Sequence, residues 1–311
     1  MPLIGMFMNV AEDDREMAGR RDAFLQGLGP VSNLRIAMRF GGADYLSYPM
    51  KAGALAKRTP APDLYFCSCW PTLRALLDVR DPRTPIVFAG VADVTPDPAA
   101  NYELPNVFGF IDYGANLCAQ WPEYLRQIAP SVTRAAVIYD VNDSTQPQRV
   151  RDLMFMAIDA AKGNLSLSKI DVRSATLEQD IQDFASSGPR STAGLIVPAL
   201  TPVGVARKKI IPSHLPAVYG NRLYAIDGGL ISRGTNTPNL YLYAGHYANQ
   251  ILNGTPPPRP IDISQTGKDP NKLPIFETVI NLHTANTLGG DILAKAMSMA
   301  LQADLVIAPD P

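Results

Sequence analysis

The chain has 311 residues, enough for two ordinary domains that each bury a core. Its 28 Lys and Arg against 29 Asp and Glu give a formal net charge of -1, which leaves no electrostatic footprint for nucleic acid or an anionic membrane surface. A composition of 46% hydrophobic and 18% charged residues excludes disordered and fibrous classes, and the longest apolar runs fall far short of the roughly 20 residues of a spanning helix.

The start, MPLIGMFMNV, lacks the basic segment and small-residue cleavage site of a secretory signal, so the chain is either cytosolic or begins after a removed signal. PLIGMFMNV, NLRIAMRF, APDLYFCS and TPIVFAGV read as strands, continuous in apolar residues as strands buried on both faces are. Between them EDDREMAGRRDAFLQGLG, ADYLSYPMKAGALAKR and WPTLRALLDVR carry helical spacing, the first with acids in its first turn. After a Pro-rich loop come the strand VFGFID at 107–112 and a helix in LCAQWPEYLRQIAP. The alternation then restarts. VTRAAVIYD, NLSLSKIDV, AGLIVPA and PAVYGNR read as strands, separated by helices around QRVRDLMFMAIDAAKG, LEQDIQDFASSG and PVGVARKKIIPSHL, and GGLISRG at 228–234 closes the series. Right-handed crossovers turn such a series into a parallel sheet covered by helices.

The two halves align in order. IGMFMNVAEDD matches AAVIYDVNDST, DLYFCSCWP matches GLIVPALTP, PIVFAGVAD matches PAVYGNRLY, and FGFIDYG matches GLISRGT. Duplication of one α/β unit explains the shared order and spacing. From about Thr235 a helix, PNLYLYAGHYANQILNG, a Pro-rich segment, a strand FETVINL and a closing helix ending in ADLVI are too short for a third domain. They pack back on both halves. The expected fold is therefore α/β, with two doubly wound parallel-sheet lobes joined by a multi-strand hinge. The N-terminal lobe takes residues 1–111 plus about 235–262, the C-terminal lobe 112–234 plus about 263–311, and a ligand cleft lies between them.

Ligands of open parallel sheets gather at the carboxyl ends of the strands. That rule nominates Asn9, Glu12, Asp13, Ser68, Cys69, Trp70, Ala92, Asp93 and Tyr113 from the first half. From the second it nominates Tyr139, Asn142, Thr201, Tyr219 and Asn221. Glu12 and Asp13 also suit helix capping, whereas Asp93 precedes a Pro-rich loop and is less easily explained that way.

Cys67 and Cys69 lack two further soft ligands at metal spacing and are not a C-x-x-C, so the simple expectation is a buried Cys67 and a turn into a helix at Pro71. Trp70 then either stacks on a flat ligand or packs in the core. Three cysteines exclude a disulfide framework and leave at most one local pair. His246 reads as a residue packed between helices, His214 as a helix-end cation and His283 as the opening of a helix. G-x-S-x-G, H-E-x-x-H and the P-loop are absent, and the glycines of AIDGGLISRGT do not form a dinucleotide fingerprint. No metal or cofactor is expected.

Taken together, IGMFMNVAEDDREMAGRRDAFLQGL, RFGGAD, PDLYFCSCWPTLRAL, TPIVFAGVADV, NVFGFIDY, YLRQIAPSVTRAAVIYD, LPAVYG, GGLISRG, and FETVINLHTANTLG with ILAKAMSMALQADLVI resemble substrate-binding proteins of ABC transporters, specifically the tryptophan/tyrosine-type group. The resemblance covers nearly the whole chain. It implies a type I periplasmic-binding-protein fold with three crossing segments, and a secreted or lipid-anchored protein whose signal has been removed. CSCWP stands where members carry a Gly, Thr or Ser cluster, and VADV where they carry serine-aspartate-proline, so Asp93 keeps a polar role while Trp70 alters the pocket.

The expectation is a periplasmic or otherwise extracytoplasmic monomer, not an enzyme, that captures a small aromatic or amino-acid-like ligand by lobe closure and delivers it to an ABC transporter permease. Two alternatives stay open: a racemase- or lyase-like enzyme using Cys69, which needs a thiolate of lowered pKa, and a cytosolic ligand-sensing domain of the same fold.

Overall fold

A computed structural model describes residues 1–14, 16–42, 44–91, 104–111, 115–140, 148–199, 201–255, 261–262 and 275–308. The first series runs β1 (Leu3–Met8), α1 (Met17–Leu28), β2 (Arg35–Phe40), α2 (Tyr48–Ala56), β3 (Leu64–Cys67), α3 (Trp70–Leu77), β4 (Ile86–Val91) and β5 (Val107–Ile111). The second runs α4 (Ala115–Cys118), α5 (Gln120–Ile128), β6 (Arg134–Tyr139), α6 (Gln148–Ala160), β7 (Ser166–Asp171), α7 (Leu177–Ser186), β8 (Ala193–Val197), α8 (Val203–Val205), β9 (Ala217–Tyr219), α9 (Arg222–Ile226) and β10 (Ile231–Thr235). Then follow α10 (Thr237–Leu252), β11 (Ile261–Asp262), β12 (Phe276–Asn281), the helices Leu282–Leu288 and Asp291–Ala300, and β13 (Leu305–Ile307).

The chain divides into two compact units. One is Met1–Gly114, Ser144–Val150 and Asn236–Ile275; the other is Ala115–Asp143, Arg151–Thr235 and Phe276–Pro311. The last division therefore falls at 275/276 rather than near 262, because β12 pairs with β10 and so belongs to the second unit.

In the first unit the strand order is β11-β5-β4-β3-β1-β2, all parallel. β1 is buried along its whole length, as its apolar run requires. The core on one face gathers Phe7, Tyr48, Tyr65, Cys67, Leu73 and Phe88. On the other face α1 and α10 lie against the sheet, with Phe66 between Phe24 and Tyr241 at centroid distances of 4.6 and 5.3 Å. Each fully buried phenylalanine of this kind contributes about 1.5–3 kcal/mol. Glycines let α1 and α10 touch backbone to backbone, Gly27 under the Leu242 carbonyl and Gly245 under that of Phe24.

In the second unit the order is β13-β12-β10-β9-β8-β6-β7. Stripped of its last strands, this repeats the first unit position for position, with β6 between β7 and β8 as β1 lies between β2 and β3. Six parallel pairs join β1 to β2 and six join β6 to β7, so the registers match as well. The core here is built on Ile138, Leu177, Leu195, Val197, Tyr219 and Tyr224.

Three expectations need correction. The sheet of the second unit is mixed, since β12 runs antiparallel to β10. ADLVI does not end a helix: Asp304 exchanges backbone and side-chain bonds with Thr278 at 2.9 and 2.7 Å and starts β13 beside β12. α1 begins at Met17, so Glu12 and Asp13 precede it; Asp14 forms the turn, its side chain accepting from the Glu16 N–H at 3.0 Å and its carbonyl from the Met17 N–H at 2.9 Å.

Candidate functional site

Phe7 of β1 is paired with Cys67 of β3, so the residues that leave these strands, Asn9 and Ser68, meet at one rim of the first sheet. The Asn9 backbone N–H donates to Ser68 Oγ at 2.9 Å. The Ser68 hydroxyl donates in turn to Asn9 Oδ1 at 2.9 Å. Ser68 is buried and Asn9 half-buried. Tyr241, reaching in from α10, has a phenol pushed up by burial, against which the nearby Arg20 charge and a hydrogen bond with Ser68 work. Arg20 is itself held by Glu16 at 2.8 Å. Sequence reasoning missed Tyr241 and Arg20, because only tertiary packing of α10 on α1 and β3 brings them to this rim.

Cys69 caps α3. Its backbone N–H donates to Thr72 Oγ1 at 3.2 Å, and the Thr72 hydroxyl donates to the Cys69 carbonyl at 2.9 Å. The Cys69 thiol contacts the same hydroxyl at 3.4 Å, and burial pushes its pKa up to about 11. That is opposite to the lowered pKa an attacking thiolate needs. Cys67 is fully buried, with its thiol likewise pushed up by burial, and all three cysteines are free. Trp70, the first residue of α3, is half-buried against the core that holds Cys67 and Leu73. Glu12 and Asp13 are exposed and lie elsewhere, on an open concavity of about 800 Å³ with Met17, Arg21, Arg39 and Phe40.

In the second unit Tyr139 ends β6 and Pro198 follows β8, and they line one small cavity with Asp140, Arg151, Met154 and Thr201. Thr201 is 5% exposed, and its Oγ1 has no hydrogen-bond partner among the described residues. A buried hydroxyl left so costs about 1–3 kcal/mol, and the cavity beside it, of about 10 Å³, has room for about one water to recover it. The Thr201 carbonyl is engaged, accepting from the Tyr224 hydroxyl. Lys169 lies over the rings of Phe155 and Tyr139 at 3.5 and 5.2 Å, and Asp140 is paired with Arg173.

Tyr219 requires a correction, for at 2% exposed its ring lies in the core against Tyr224 at 5.6 Å rather than at the rim. Asn221 caps α9, its Oδ1 accepting from the Leu223 N–H at 2.9 Å. Ala92, Asp93, Tyr113 and Asn142 lie outside the described residues. His246 is exposed rather than packed between helices, and His214 and His283 are exposed as well. Among the described residues no three His, Cys, Asp or Glu side chains converge as a metal site would require, and no helix is long and apolar enough to cross a membrane.

A doubly wound sheet occurring twice in one chain, with polar and aromatic side chains at the carboxyl ends of its strands, defines the two-lobed periplasmic-binding class. The chain belongs to the ABC transporter substrate binding protein family, which it matches over residues 71–300. No curated protein matches it. Similar solved structures include the ABC domain from Streptococcus pneumonia in complex with L-Trp, 18% identical, covering 98% of this chain and 99% of that one with a TM-score of 0.72. A conserved domain protein from Vibrio cholerae is 20% identical over 98% and 99% of the two chains, with a TM-score of 0.69. A ligand-free, open substrate binding protein from Clostridium difficile is 18% identical over 100% of both, with a TM-score of 0.63. At these identities the likenesses establish the fold.

Proposed function

We propose that the protein is an extracytoplasmic, monomeric receptor of an ABC importer that carries a small aromatic, amino-acid-like ligand to its permease and does not transform it. The observation that carries this reading is the makeup of the two rims: a neutral amide and hydroxyl, Asn9 and Ser68, in one unit, with Trp70 two residues further along the chain, and Tyr139 with the open Thr201 hydroxyl in the other. Aromatic surface with a few placed hydrogen-bonding groups suits a planar, polar-ended molecule. The L-Trp bound by the Streptococcus protein belongs to that class. Asp93, Tyr113 and Asn142 are part of the same proposal by their place after the strands. Cys69 opposes an enzymatic reading, since its buried thiol carries a raised pKa. Lobe closure on the ligand, expected from the sequence, belongs to the proposal too and is read by small-angle scattering with and without ligand.

The test is native mass spectrometry of protein purified without denaturation, followed by thermal shifts with aromatic amino acids. A ligand of the native state at one hundred times its Kd stabilises by about 2.7 kcal/mol. L-Tryptophan should raise the melting temperature of the wild type, and Trp70→Ala should abolish the rise. A rise undiminished in that variant contradicts the place of Trp70, and a co-purified sugar with no response to any aromatic compound contradicts the ligand class.

A further inference from the structure

Asn9 and Ser68 are tied by two bonds, and the count of protons in them decides what the pair can still do. A hydroxyl has one proton. Because the Asn9 backbone N–H donates to Ser68 Oγ at 2.9 Å and the Tyr241 phenol, kept protonated by burial, is the donor in its own bond to that oxygen, the hydroxyl proton is left for Asn9 Oδ1, also at 2.9 Å. The acceptor end of the carboxamide is thereby engaged, and so is the only proton of Ser68. What stays open is Asn9 Nδ2, with two N–H donors and no acceptor among the described residues. A tie between strand ends would need the oxygen alone. The half-buried amide therefore has a fixed direction and a free donor face. Arg20, whose charge acts on Tyr241, is paired with Glu16, so it does not supply an unmatched charge for a ligand.

We infer that Asn9 reads a hydrogen-bond acceptor on the ligand, a carboxylate or carbonyl oxygen, and that Ser68 is the positioning residue that turns the amide's N–H groups outward. This rests on the solute-binding reading above and deepens it. A neutral amide accepts a carboxylate or an uncharged carbonyl and refuses a group that can only donate. The rim of the first unit thus selects the acid or amide end of an amino-acid-like molecule and not an amine lacking it.

Three probes that share one ring system separate these chemistries: L-tryptophan, with a carboxylate; L-tryptophanamide, with a carbonyl; and tryptamine, with neither. Isothermal titration of the wild type should give tryptamine an affinity about tenfold or more below the other two, as expected for one lost bond to a charged or carbonyl oxygen. Asn9→Asp keeps the size and the acceptor for Ser68 but replaces the donors by an acceptor, so L-tryptophan should weaken by about tenfold to a hundredfold while tryptamine does not. Ser68→Ala should weaken L-tryptophan by roughly threefold to tenfold through loss of positioning, with the melting curve of the unliganded protein reported beside it. Equal binding of L-tryptophan and tryptamine to the wild type, or unaltered L-tryptophan binding by Asn9→Asp, overturns the inference alone. If none of the three binds the wild type, the aromatic-ligand reading falls and the inference with it.

Discussion

The contact between α1 and α10 gives a prediction whose size follows from distances. A Cβ built at Gly27 would lie 1.8 Å from the Leu242 carbonyl oxygen, and one at Gly245 would lie 2.1 Å from that of Phe24. Carbon and carbonyl oxygen ordinarily come no closer than about 3.3 Å, so either methyl must push the helices apart by roughly an ångström. Backbone is met in both cases and cannot rotate aside. A gap of that size forfeits about a quarter to a half of each neighbouring dispersion contact, and the Phe24, Phe66 and Tyr241 rings lie beside it. Overpacking of this kind costs about 3 kcal/mol or more, against which alanine gains about 1 kcal/mol in helix propensity. Gly27→Ala and Gly245→Ala should each therefore lose about 2 kcal/mol or more. Gly19 supplies the control within α1, because nothing lies within 4 Å of its Cβ position. Gly19→Ala should gain about 0.5–1 kcal/mol. Urea unfolding followed by circular dichroism, with calorimetry to separate transitions of the two units, reads the difference. Stabilities of Gly27→Ala and Gly19→Ala that agree within error would refute the close crossing and the role of both glycines in it.

Arg80 is 8% exposed and donates to the carbonyls of Asp81, Pro82, Thr84 and Pro105 at 3.3, 2.7, 2.8 and 2.8 Å. Arg80→Met keeps the apolar stem but strands these carbonyls, and should cost about 2–4 kcal/mol in equilibrium denaturation; a change below about 0.5 kcal/mol contradicts the role. Cys69, raised to about 11 by burial, should at pH 8 hold roughly two hundredfold less thiolate than a free cysteine, so native protein should resist iodoacetamide while unfolded protein reacts at once. Rapid single-site alkylation of the native form would instead restore the nucleophile reading.

The architecture was legible where strands are buried on both faces, since β1, β3, β4, β6 and β8 then appear as uninterrupted apolar runs. The order of those runs exposed the duplication before any pairing was known. Misread stretches share a different cause. β13 exists because Asp304 is fixed to Thr278, 26 residues away, and no local periodicity reports such a pairing. The acids before α1 look like first-turn residues, yet Asp14 spends its side chain on a turn and the helix starts later. At the rims, position after a strand found Asn9, Ser68, Tyr139 and Thr201 but could not give direction. Tyr219 sits at the end of its strand, too, and alternation sends its ring into the core.

Direction is what separates the two copies of the unit. DLYFCSCWP laid on GLIVPALTP sets Trp70 opposite Thr201 and Pro71 opposite Pro202, so the same turn after the same strand carries an indole in one copy and a hydroxyl in the other. In the first copy the polar groups beside it are already satisfied by each other, apart from the amide face of Asn9. In the second the hydroxyl is buried and has no hydrogen-bond partner among the described residues. Duplication fixes where these side chains stand, and their hydrogen-bond bookkeeping fixes what each can accept. The rim of the first unit thus asks for an acceptor at Asn9 and that of the second for a hydrogen-bonding partner at Thr201, demands that exchanging these few residues would change without disturbing the sheet beneath each.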